Sequence, residues 1–218
     1  MAQATELDQS LPTLTYFGLH AKAEPIRMLL KHKGVAFNDT TITFEQWAEI
    51  KQTTPSGQIP TYQLPNGKVL NQANAILRLL GRQHGYYFNE EAEAYNVDWA
   101  LETHADFWAT KTQYVFFGGK EQEAITEGLN QFEKFNKQIE THLAGTNTRF
   151  MASDRLTIAD FLVFQIYMGM CHNEATIVPE IQAQFAGKLA DTPKVTAYIE
   201  VMKTEMASYL ATRGAYKI

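Results

Sequence analysis

The chain has 218 residues, 45% of them hydrophobic and 12% aromatic, with 19 Lys and Arg against 24 Asp and Glu for a formal charge of −5. Its length exceeds one typical domain of about 100 to 150 residues, which predicts one large or two small domains with a real buried core. An acidic chain without a basic stripe excludes nucleic acid as the expected ligand. No run approaches the roughly 18 apolar residues of a membrane helix, and Met1 to Leu11 lacks the basic and apolar regions of an export signal. With Cys171 as the single cysteine there is no internal disulfide. A cytoplasmic protein with no membrane partner is the expectation.

Residues 1–11 mix small and polar side chains without a period and read as a loosely held, flexible extension. From Pro12 to about Phe88 strand-like and helix-like runs alternate. Leu14 to Phe17 is a strand with Leu14 and Tyr16 on one face and Thr15 and Phe17 on the other. Glu24 to Lys33 is a helix in which Pro25, with its preset φ, suits the first turn. A strand over Asn38 to Ile42 and a helix over Glu45 to Lys51 complete a βαβ-α opening. Thr61 to Leu64 and Lys68 to Leu70 flank Pro65-Asn66-Gly67, where Asn-Gly predicts a two-residue hairpin turn. A helix over Ala75 to Arg82 closes an α/β module over residues 12–88.

Beyond Asn89 the period of two disappears and helical periods take over, which predicts an all-helical unit over residues 89–218. Val97, Leu101, Ala105 and Trp108 form one stripe, and Ile125, Leu129, Phe132, Ile139 and Leu143 form a second. Val195, Tyr198, Ile199, Met202, Met206 and Tyr209 mark a third, after Pro193. These are packing stripes without chemistry. The apolar segment Phe161 to Cys171 is too short to span a bilayer and reads as a buried helix. Thr157-Ile158-Ala159-Asp160 in front of it has the outline of a capping box, with Asp in place of the commoner Glu or Gln.

The junction between the first strand and the first helix is the place for chemistry. A helix start offers free backbone N–H groups to an anion, and a tyrosine hydroxyl there can donate to anionic sulfur or oxygen. By itself, however, Tyr16 reads as a packing aromatic in a half-buried strand.

Taken in order, Leu14-Thr15-Tyr16-Phe17, Ala23-Glu24-Pro25-Ile26-Arg27, Trp47 with Lys51, Pro55 to Pro60, Leu70-Asn71-Gln72 and Leu156 to Phe161 give the chain its identity as a pattern. Over about residues 13–213 it resembles a cytosolic glutathione transferase of sigma-like character, a class that includes glutathione-dependent prostaglandin D synthases. The resemblance implies an N-terminal thioredoxin-like domain, a C-terminal helical domain and assembly as a homodimer. It makes Tyr16 the catalytic hydroxyl that holds glutathione, the co-substrate, as its thiolate. Lowering a thiol pKa of about 8.5 by two units needs about 2.7 kcal/mol. A hydrogen bond to a charged partner supplies about 1.5 to 3 kcal/mol, so Tyr16 together with the helix start near Glu24 suffices.

The same resemblance distributes the rest of the tripeptide. Lys22 stands where many sigma-class members carry an arginine favouring the thiolate; a solvated loop lysine is the alternative. Trp47 and Lys51, on one helix face, are implied to meet the glycyl carboxylate. The backbone of Ile59, between Gln58 and a cis Pro60, pairs with the cysteinyl segment. Gln72 contacts the γ-glutamyl end, where Ala73 replaces a usual serine and weakens binding without abolishing it. Asp106 reaches the glutathione amino group across the dimer, or else is an exposed helix carboxylate. The acceptor site, for a small hydrophobic electrophile, is assigned by family position to Leu19, His20, Trp108, Gln113 and Tyr209.

Conjugation of glutathione to electrophiles is the leading function. A glutathione-dependent isomerase of the prostaglandin D synthase kind and a non-catalytic scaffold like the lens S-crystallins are the alternatives, the latter favoured by Ala73. A glutaredoxin-type role is excluded, because His20 to Glu24 contains no cysteine. The six histidines, His20, His32, His84, His104, His142 and His172, show no metal-ligand spacing, so no metal is expected.

Overall fold

The computed structural model describes residues 7–118 and 121–216; most of the expected N-terminal extension lies outside them. The half that carries the sheet is built around β1 (Thr13–Phe17). Parallel to it runs β2 (Asn38–Ile42), with Tyr16 opposite Thr41 and Phe17 opposite Ile42. On its other side β3 (Thr61–Gln63) is antiparallel and pairs in turn with β4 (Val69–Asn71), giving the order β2-β1-β3-β4. The parallel pair needs a crossover, which α1 (Glu24–Lys33) supplies, and α2 (Phe44–Ile50) follows β2. A capping box of Thr43 and Gln46 starts α2, and the helix α3 (Ala73–His84) follows β4. Leu14 and Tyr16 are buried while Thr13, Thr15 and Phe17 are half-buried, so β1 turns its even face to the core.

The β3–β4 connection departs from the expected two-residue turn. In that turn residue 65 would have to donate its N–H to Lys68 O, and Pro65 has none. Instead Gly67 N–H bonds Leu64 O at 2.9 Å, Gly67 takes φ 83°, and Leu64 N–H bonds Lys68 O at 2.9 Å beyond it.

The helical half comprises α4 (Glu91–Ala109), α5 (Gln122–Thr146), α6 (Ile158–Met170), α7 (Pro179–Gly187), α8 (Pro193–Glu205) and the short α9 (Ala207–Leu210). A 3₁₀ turn over Thr112–Phe117 follows α4. Neither this turn nor α7 has a sequence signature: α7 buries only Ile181 and Phe185, too few positions for a stripe. The late stripe crosses a break at Met206 between α8 and α9. Ala105, placed in a packing stripe by its spacing, is exposed.

Every residue of α6 is buried, which makes this helix the centre of the molecule. Its start is fixed by Asp160, whose carboxylate accepts from Thr157 N–H at 2.8 Å, Thr157 Oγ1 at 3.0 Å and Met151 N–H at 2.8 Å. Loss of such a cap costs about 1 kcal/mol or more. The two halves meet where Ile158 N–H bonds Tyr86 O at 2.9 Å and where Gly81 of α3 passes so close to Ile158 that a Cβ would stand 2.6 Å from its Cγ2. No described helix is long and apolar enough to cross a membrane.

Candidate functional site

The end of β1 delivers Tyr16 to the edge of the interdomain cleft, where it is only 7% exposed. Burial pushes its phenol up to about 12, against the Lys22 backbone N–H and the charge of Arg27, so at neutral pH it carries its proton. A protonated phenol has its O–H to donate. The helix start near Glu24 does not take part as expected. Glu24 N–H is used by His20 O at 3.0 Å, and the Glu24 side chain is buried among His20, Arg27 and Arg213. The backbone donor beside Tyr16 belongs instead to the 3₁₀ turn Ala21–Ala23 that precedes α1.

Two cavities meet at this point. The first, of about 490 Å³, is lined by Phe17, Lys22, Trp47, Gln58, Ile59, Pro60, Gln72 and Ala73 from the sheet half and by Asn74, His104, Ala105, Trp108 and Ala109 beyond them. The Ile59–Pro60 bond is cis, and among the described residues neither Ile59 N–H nor its C=O has a hydrogen-bond partner. Gln72, at φ 69°, bonds Gln58 Oε1 from its Nε2 at 3.1 Å, so the two amides form one polar wall. Ala73 opens α3 directly beside them. Lys51 lies just outside this wall with its side chain against Gly57, and Asp106 is exposed on α4 next to Ala105 without lining the cavity.

The second cavity, of about 420 Å³, is lined by Tyr16, Leu19, Ala21, Phe44, Gln113, Tyr114 and Phe117, and it shares Phe17, Lys22, Ile59 and Trp108 with the first. Aromatic rings dominate it. Phe17 packs on Phe44 at 4.5 Å and edge-on against Trp47 at 6.3 Å, while Tyr114 and Phe117 stand 6.2 Å apart at the rim. The Trp108 indole N–H donates to His104 Nε2 at 2.8 Å, which locks the shared wall, and Lys22 Nζ lies 6.0 Å from the Trp108 ring. Burial lowers His104 to about 3, so the ring is neutral and accepts that bond.

Leu19, Trp108 and Gln113 therefore come together as the family position implies, but His20 and Tyr209 do not. His20 is 2% exposed and turns to the opposite side of its turn, with Nδ1 3.0 Å from Glu24 Oε2. Tyr209 is buried behind α1, its phenol raised by burial and by the neighbouring Glu24 charge. Both lie beside the buried Glu24 carboxylate, on the far side of the turn from the cavity. Conversely, the sequence reading missed Phe44, Tyr114 and Phe117. The last two are three apart, which aligns side chains in a 3₁₀ turn rather than in an α-helix. A larger surface groove, about 800 Å³ beside Trp99 and His142, contains none of these residues.

Comparison with known proteins agrees with this geometry. Residues 21–83 match the family model for the glutathione S-transferase N-terminal domain, and residues 105–211 match that for the C-terminal domain. Glutathione S-transferase P of Caenorhabditis elegans is 31% identical over 192 residues, which cover 85% of this chain and 90% of the relative. Glutathione S-transferase 2 of Manduca sexta is 29% identical, covering 85% and 93%. Among solved structures, the glutathione S-transferase from Ascaris lumbricoides superposes with a TM-score of 0.81 at 25% identity, covering 95% of this chain and all of that one. Prostaglandin synthase D of Nilaparvata lugens shares the fold, at a TM-score of 0.74 and 23% identity over 94% and 99% of the two chains. Two matched domains in the family's order, joined to relatives aligned over nearly their whole length, make the chain a member of the glutathione S-transferase family of enzymes.

Proposed function

We propose that the protein conjugates glutathione to small, flat, hydrophobic electrophiles, with the Tyr16 O–H holding the sulfur as thiolate, and that it is of sigma-like class. The observation that carries this reading is the shared wall. A polar cavity with an unpaired backbone at Ile59 adjoins an aromatic cavity, and Tyr16 lines the latter. A tripeptide in the first cavity pairs with Ile59 as an added strand would, and its γ-glutamyl carboxylate accepts from the backbone N–H groups at the Gln72–Ala73 start of α3. Trp47 on α2 and Lys51, the residue after it, serve the glycyl carboxylate. Asp106, exposed on α4, serves the amino group of a second subunit's glutathione in a homodimer.

The chemistry then needs little else. Tyr16 donates to the ionised sulfur, Lys22 adds positive charge, and no group has to accept a proton in the bond-forming step. The thiolate attacks the electrophilic carbon, a carbon–sulfur bond forms, and the leaving group departs with the electron pair of its own bond. One hydrogen bond to a charged sulfur is worth about 1.5 to 3 kcal/mol, so Tyr16→Phe is expected to cut kcat/KM for a chlorodinitrobenzene-type electrophile roughly tenfold to a hundredfold. Retention on immobilised glutathione should survive the change. Equal turnover by wild type and Tyr16→Phe would refute the assignment, and retention of the wild type without any turnover would favour a scaffold.

A further inference from the structure

The turn that lines the electrophile cavity has a second face. Leu19, Ala21 and Lys22 point into the cavity, whereas His20 and Glu24 point away from it, toward the end of the chain. Ala21 is buried at φ 33°, a left-handed value that an L residue with a Cβ holds only when its surroundings impose it. On the far side of the turn lies a buried ion cluster. Glu24, 1% exposed, sits 3.0 Å from His20 Nδ1, 3.6 Å from Arg27 Nη1 and 3.5 Å from Arg213 Nη1. Arg27 in turn donates to Leu19 O at 2.8 Å and pairs with Asp39 at 2.8 Å. The C-terminal segment closes the network. The Tyr216 ring lies 5.2 Å from His20 and 5.3 Å from the Arg27 guanidinium, and Asn173 Nδ2 donates to Tyr216 O at 3.1 Å.

Buried ion networks add little stability over an apolar core of the same volume, but they fix the direction of every partner. We propose that Glu24 and Arg213 are positioning residues for the glutathione reaction: by tying the C-terminal segment to the back of the turn, they hold Ala21 left-handed and keep Lys22 beside Tyr16 on the cavity wall. This rests on the reading of Tyr16 as the thiolate's donor. Neither residue lines either of the two cavities described above, so both act through the turn. Burial pushes the Glu24 carboxyl up, but His20, Arg213 and Arg27 together hold it below the ordinary carboxylate range, so the network is charged.

The test is the titration of enzyme-bound glutathione, followed by ultraviolet thiolate absorbance in the full chain, with kcat and KM measured alongside. The other charged and titratable groups around Tyr16, namely Lys22, Arg27 and Tyr114, stay in place. In Arg213→Met the bound thiol should titrate about one pH unit higher, and kcat at neutral pH should fall about threefold, as the thiolate fraction drops from about three quarters to about one quarter. KM for glutathione should stay within about twofold, since no binding group is removed. Arg213→Lys, which keeps the charge, should restore most of the loss. If Arg213→Met does not fold, Tyr216→Leu removes the ring that covers His20 and Arg27 and should shift the thiol in the same direction. A folded variant whose bound thiol titrates as in wild type, while Tyr16→Phe abolishes the thiolate, overturns this inference and leaves Tyr16 standing. A wild type without a thiolate band overturns both.

Discussion

Ala73→Ser is the change whose effect on the substrate is most directly worked from the structure. Ala73 is the first residue of α3, half-buried in the cavity wall beside Gln72, whose φ of 69° fixes the direction from which the helix begins. Its side chain offers a ligand nothing but a methyl group, so a carboxylate bound there relies on backbone N–H groups and the Gln72 amide. A serine adds one O–H donor at the same Cβ. A hydrogen bond to a charged acceptor contributes about 1.5 to 3 kcal/mol, or about tenfold to a hundredfold in Kd. The cost to the fold is small, because the first helical position lacks an intrahelical acceptor for its N–H and tolerates serine well. Calorimetric titration with glutathione, beside a melting curve, measures both quantities. Ala73→Gly is the control: it adds no donor and should not tighten binding. A Kd for Ala73→Ser that equals or exceeds the wild-type value, in a protein that melts normally, would refute the view that this alanine weakens the γ-glutamyl contact.

Two further predictions concern the frame around the site. Gly81→Ala places a Cβ 2.6 Å from Ile158 Cγ2 at the junction of the two halves. Overpacking of about 1 to 3 kcal/mol outweighs the helix propensity gained, about 1 kcal/mol, so the melting temperature should fall, by about 2 to 4 °C per net kcal/mol. Combined with Ile158→Ala, the loss should be less than additive; strict additivity in the double-mutant cycle would show that the contact is not the cause. His104, lowered to about 3 by burial, gives the second. As pH falls below about 6.5 the unfolded chain takes up a proton that the folded ring refuses, so stability drops by up to about 1.4 kcal/mol per pH unit. Urea unfolding between pH 6.5 and 4.5 should show a shallower decline in His104→Gln than in wild type, and parallel slopes would exclude His104 from the acid sensitivity.

What could be read without coordinates was what the chain decides locally. The period of two in Leu14 to Phe17, the fixed φ of Pro25 and the Thr157–Asp160 pair each constrain only their own neighbours, and strands, helix start and cap stand close to where those constraints put them. The same locality explains the errors. Asn66-Gly67 signals a two-residue turn only if the preceding residue leaves it free, and Pro65 does not. His20 and Tyr209 were assigned to the electrophile site by position along the chain, but a buried carboxylate at Glu24 draws both to the other side of the turn. No spacing rule reports such a group, because its partners come from as far apart as His20 and Arg213.

The two faces of that turn also explain why the cavity's own composition is so plain. Along residues 19 to 24 the side chains that line the cavity are Leu19, Ala21 and Lys22, two of them without a polar atom. The polar groups His20, Glu24 and Arg27 lie behind, buried and paired through Glu24. In front they would solvate the thiolate's competitors and admit water to an apolar cavity; behind, they spend their interaction energy on backbone geometry. Catalysis gains from such an arrangement because a preorganised donor needs no rearrangement as charge shifts from sulfur to the leaving group. If the proposed conjugation holds, an aromatic cavity with a phenolic donor at its inner end suffices, and preference for flat electrophiles would come from Phe17, Phe44 and Trp108 rather than from any charged recognition.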